Sequence, residues 1–182
     1  NAALFIMPSL IAALESARDR LPETLARQLE STVRREAVAT ERRWDEELFC
    51  PVRDHKAYTN VFLLYIQSLT LAGNYLQDSR LTRVANAQWR RWFNHIAYLG
   101  IDEVSPTYSD VDYEALQRIN RQTQDPEVRQ QSADVLAYMS ALYHAMTHPR
   151  LKLPMCGTFR NYRRFLTQAD CEPDIVQCGD RC

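Results

Sequence analysis

The residue pattern predicts an all-α fold built from antiparallel helical hairpins, on three observations. Only four of the 182 residues are glycine, while Ala, Leu, Arg, Glu and Gln are abundant, a composition that favours helix over sheet. Apolar residues recur at three- and four-residue spacing in six successive segments. No stretch carries a competing strand signal, and the breaks between segments are short, so neighbouring helices are expected to lie side by side and antiparallel.

The first helix is expected from Pro8 to Arg20, with Pro8 at an early helical position and Leu10, Ile11, Leu14 and Ala17 as its apolar stripe. Leu21-Pro22 breaks it. Pro22 opens a longer second helix on which Leu25, Leu29, Val33 and Ala37 repeat every four residues. Its other faces carry Arg27, Glu30, Arg34, Arg35, Glu36 and Glu41, most simply a solvated surface with ion pairs one turn apart. A loop containing Cys50-Pro51 follows. The third helix, about Lys56 to Leu76, is apolar all round through Val61 to Ile66, as in a helix buried on most sides. Asn60 at its entrance is therefore expected in or near the interior.

Asp78 or Ser79 caps a fourth helix whose Leu81, Val84, Ala85, Trp89, Trp92, Phe93 and Ile96 face inward, and Gly100 closes it. Ser109 or Asp110 caps the fifth, with Val111, Ala115, Leu116 and Ile119 inward. Asp125-Pro126 is a cap followed by a first-turn proline. It opens a sixth helix striped by Val128, Val135, Leu136, Met139, Leu142, Tyr143 and Met146, and Pro149 ends it. The helical period then weakens, so the chain divides into a helical-hairpin domain, 1–166, and an irregular Cys-rich tail, 167–182.

Between the fourth and fifth helices, residues 100–110 place three carboxylates, three hydroxyls and a phenol around Pro106. The proline fixes its own φ and holds Ser105 extended, so this connector is stiff. That property suits either a site or a tied structural loop.

Net charge is −1, which leaves no global field to draw nucleic acid or a membrane surface. No run approaches the roughly 18 apolar residues of a membrane span. The chain has no phosphate-cradling glycine loop, no strained nucleophile elbow and no nucleic-acid module. It begins without methionine, and its apolar opening lacks the basic stretch of an intact signal peptide, so a processed product or a fragment is expected. Four of its five cysteines, Cys156, Cys171, Cys178 and Cys182, cluster near the end, with Cys50 apart. Disulfides in an oxidising, secreted or periplasmic setting are the first reading. Free thiols and a zinc site remain the alternatives, the spacings fitting zinc patterns poorly.

Tyr58 to Leu63, Leu69 to Asp78, Trp89 to Gly100 and above all Glu103-Val104-Ser105-Pro106-Thr107-Tyr108 resemble a group of (α/α) toroid proteins. That group is distantly similar to the heparinase II/III-type and alginate-type polysaccharide lyases. His148-Pro149 and Arg160 to Phe165 extend the resemblance. It implies part of an (α/α) toroid: three of the six hairpins of a complete ring. A second chain or a homodimer would then complete it.

The resemblance also implies β-elimination on an acidic, uronic-acid polysaccharide with no cofactor. A base removes the proton α to the carboxylate, and cationic or amide groups stabilise the enolate-like charge. Tyr108 is expected as base or acid and Glu103 as its orienting group, with Asn60, His148 and Arg160 gripping the sugar acid. Tyr162 and Trp92 are the further substrate contacts. The plainer reading has Tyr108 and Glu103 tying the loop to helix ends, and Trp89, Trp92 and Phe93 as a core stripe. Glycoside hydrolysis by Glu103 and Asp112 ranks below elimination. His144 and His148 have the spacing of a metal pair but no supporting pattern, so no metal is expected. From a different class, the alternative is a non-catalytic helical module that assembles with another chain.

Overall fold

A computed structural model describes residues 2–43, 59–101 and 108–151. These residues form six α-helices and no strand: α1 (Ala2–Ala17), α2 (Glu23–Arg43), α3 (Thr59–Tyr75), α4 (Ser79–Leu99), α5 (Ser109–Gln122) and α6 (Pro126–Ala145). A 3-10 turn, Arg18–Arg20, links the first two. No helix among them is long and apolar enough to cross a membrane.

α3 is the hub. Fourteen of its 17 residues are buried, including every position from Phe62 to Gly73, and α1, α2, α4 and α5 all pack against it. Such a helix carries few polar side chains unless they find partners. Thr70 returns its hydroxyl to the Ile66 carbonyl at 2.9 Å, and Asn74 donates to the Gln122 carbonyl at 2.6 Å. The second bond joins the C-terminal ends of α3 and α5, so these two helices run in the same sense.

The α3–α4 turn is tight, with the Asp78 amide donating to the Gly73 carbonyl at 2.9 Å. Asp78 caps α4, its Oδ1 accepting from the amides of Arg80 and Leu81 at 3.0 and 3.3 Å. Gly73 is required because a Cβ there would stand 2.6 Å from Thr82 Oγ1. At the other end Gly100 closes α4 with φ 86°, where glycine alone is unstrained, its amide reaching the Ile96 carbonyl at 2.8 Å.

α5 and α6 form the next hairpin. Asp125 caps α6 through the amides of Glu127 and Val128 at 3.0 and 3.2 Å, and Pro126 follows at the first turn. Three cross-links tie α6 to α4: Asn86 to Asp125 at 3.3 Å, Trp89 Nε1 to Gln131 at 2.9 Å, and Arg90 to both Asp125 and Glu127 at 2.6 and 2.9 Å. Burial tends to raise the Asp125 carboxyl, but the Val128 amide and the Arg90 guanidinium outweigh it and hold the group below its ordinary range. The two hairpins thus stack in register, α3 beside α5 and α4 beside α6. The α1–α2 hairpin leans on α3 across this pair.

Local signals placed the caps of α4 and α6 and the close of α4, while α1 ends at Ala17 and α6 at Ala145, each short of the expected end, and further differences follow. α1 begins at Ala2, so Pro8 lies inside it. The reason is burial: Leu4 and Met7 continue the inward stripe before the proline. On α2 the inward face runs through Ala26, Val33, Ala37 and Thr40, while Leu25 is 40% exposed. On α5 the N-cap position is Tyr108, with Ser109 already helical.

A candidate ligand cleft between the ends of α5 and α6

Antiparallel pairing sets the first turns of α5 beside the last turns of α6, and a cleft of about 580 Å³ opens there. Ser109, Asp110 and Tyr113 line it from α5, and Met139, Ser140, Leu142, Tyr143 and His144 from α6. Ile101, Thr147 and Pro149 complete the described wall. Tyr113 Oη and Ser140 Oγ meet at 3.4 Å across the hairpin and join its two sides. Tyr113 and Tyr143 both stay exposed, which leaves ring surface free on the cleft wall. The volume falls within the roughly 300–1,000 Å³ of small-molecule sites.

The α6 end is finished by its own chain. The Met146 amide donates to the Leu142 carbonyl at 3.0 Å, and the Thr147 hydroxyl donates to the Tyr143 carbonyl at 2.7 Å. His148 Nδ1 then accepts from the amides of Arg150 and Leu151 at 3.2 and 3.1 Å. In this arrangement the His148 ring caps the turn that follows α6.

Of the residues expected at a site, Tyr108 and His148 flank the cleft, each next in sequence to a lining residue. His148 lies beyond the end of α6 at Ala145, so it does not share a helix face with His144. Among the described residues no group of three or more His, Cys, Asp or Glu side chains is placed to hold a metal. Asn60 is only 3% exposed, and its Oδ1 has no hydrogen-bond partner among the described residues. It sits at the N-terminal turn of α3, and the parallel α3–α5 pairing puts it at the same end of the molecule as Tyr108. Trp92 is 6% exposed and packs on Trp89 at 5.3 Å with rings tilted by 56°, so it belongs to the core stripe and offers no platform to a sugar. Glu103, Arg160 and Tyr162 lie outside the described residues, as do all five cysteines.

The structure adds residues that the sequence reading did not bring together. Asp112 is fully buried within the inward stripe of α5. Asp110, Tyr113, Tyr143 and His144 meet only because two helix ends are adjacent. The available signal was the hairpin itself: a three-residue link between helices of 14 and 20 residues places the first turns of one beside the last turns of the other.

A family model described as a domain of unknown function, DUF8769, matches residues 1–168. The chain belongs to the DUF8769 family. No curated protein and no solved structure matches this DUF8769 chain.

Proposed function

We propose that the chain is a helical-hairpin binding module whose α5–α6 cleft takes a carbohydrate. The observation that carries this reading is the composition of the wall. Two exposed tyrosine rings stand among the hydroxyls of Ser140 and Thr147, the Asp110 carboxylate and the His144 imidazole. A sugar ring presents an apolar C–H face to aromatic surface and hydroxyls at its edge, so it needs both kinds of group from one wall. The stacked hairpins are read as a section of an (α/α) toroid, completed by a second chain or a second copy. The outward Phe5 and Ile6 of α1 support such continued packing. A secreted or periplasmic setting accords with this reading and with the clustered cysteines.

A second reading keeps β-elimination on a uronic-acid polymer, with Tyr108 as base or acid, Glu103 orienting it, and Asn60, His148 and Arg160 as the grip. Its support is the common end shared by Asn60 and Tyr108 and the position of His148 beside the cleft wall.

Calorimetric titration with neutral and uronic-acid oligosaccharides, run beside a test for unsaturated product, separates the two readings. Binding without product, weakened about tenfold by Tyr143→Ala, supports the module, since ring stacking is worth roughly 1–2 kcal/mol. Unsaturated product that disappears in Tyr108→Phe supports elimination. The absence of binding and product across the panel rejects both.

A further inference from the structure

Resting on the carbohydrate reading of the cleft, we infer that its ligand carries a cationic or strongly donating group, as an amino sugar does, and is not a polyanion. Asp110 is the only carboxylate among the lining residues, His144 is the only basic side chain there, and neither lysine nor arginine lines the cleft. An anionic ligand would therefore meet a carboxylate with no lysine or arginine from the described wall beside it. An ammonium would find a partner there. Asp110 is exposed on the first turn of α5, so it can turn toward a ligand without breaking the core.

Two further features agree. Ser140, Thr147 and the Tyr113 hydroxyl can each accept from a donor. The Thr147 hydroxyl already donates to the Tyr143 carbonyl, which leaves its lone pairs as what it offers a ligand.

The test uses the full chain and two sets of probes. The first is a matched series of oligosaccharides bearing a free amine, an N-acetyl group or a uronic carboxylate. The second is phenethylamine against phenylacetate, followed through the ring resonances of Tyr113 and Tyr143, which reads charge preference without requiring a sugar. The amine forms are expected to bind roughly fivefold tighter than the neutral forms, the scale of one partly exposed ion pair. Asp110→Asn is expected to remove that preference. Equal or tighter binding of the carboxylate forms, or a preference that survives Asp110→Asn, overturns the inference. If phenethylamine is preferred and no sugar of any charge binds, the charge inference stands for the cleft and the carbohydrate reading falls. If neutral sugars bind and the amine gives no gain, the carbohydrate reading stands and the charge inference falls.

Discussion

Ser68 Oγ donates to the carbonyl of Leu4 across the α1–α3 contact, at 3.5 Å. Leu4 is four residues before Pro8, and a proline has no amide hydrogen to return to that carbonyl. A buried hydroxyl on the hub helix therefore supplies the donor that α1 lacks. This gives the Leu4 carbonyl a long hydrogen-bond partner and sets a fully buried serine on the α1 side of α3.

Ser68→Ala is expected to destabilise the fold by about 1 kcal/mol, the net worth of a typical hydrogen bond plus the cost of an orphaned acceptor. In a Pro8→Ala background the new amide satisfies Leu4, and the same serine change should cost clearly less. A double-mutant cycle by urea unfolding measures the difference, expected at about 0.5–1 kcal/mol. Additive penalties would mean that Ser68 does not answer the proline.

Gly73→Ala is expected to destabilise by roughly 1–3 kcal/mol, because the added methyl meets the backbone amide of Thr82 at 3.0 Å as well as its hydroxyl. Thermal unfolding reads the loss. Thr82→Ala should rescue only the part that comes from the side chain.

Acid should weaken the fold through two carboxylates. A hydrogen bond from Arg18 lowers Glu30 below its ordinary 4.5, aided by Tyr75 and opposed by burial. Asp125 is lowered below its ordinary 3.8 by the α6 amides and Arg90, again against burial. Both folded values lie below the unfolded ones, so both contributions are fully present above the ordinary carboxylate values and are lost as pH falls through the folded values. Burial followed by the neighbouring Glu30 raises Tyr75 above its ordinary 10.0, so its contribution is present at neutral pH and fades in strong alkali. Urea midpoints measured against pH should decline below about pH 4.5. Asp125→Asn and Glu30→Gln should each flatten that decline.

The helices were legible in the sequence wherever a local rule decides. Asp78, Gly100 and the Asp125-Pro126 pair act on their own neighbours within a turn, and each sits where its chemistry predicts. The all-round apolar run of α3 announced a hub by itself. What depends on contacts between distant segments was not legible. Pro8 looks like a helix start until Ser68 is seen facing Leu4. Leu25 outranks Ala26 on hydrophobicity, yet Ala26 is buried and Leu25 is exposed. The cleft was hidden for the same reason, because Tyr113 and Tyr143 are 30 positions apart and meet only through the hairpin. Trp92, by contrast, carried the right plain reading beside the functional one, and the packing on Trp89 selects the plain one.

The central claim, that the α5–α6 cleft is a binding site, is tested most directly by backbone amide NMR of the full chain titrated with the oligosaccharide series. Saturable shifts concentrated at Ser109, Tyr113, Ser140, Tyr143 and Thr147, and lost in Tyr143→Ala, are the predicted result. Shifts centred on other residues, or none with any member of the series, would contradict it.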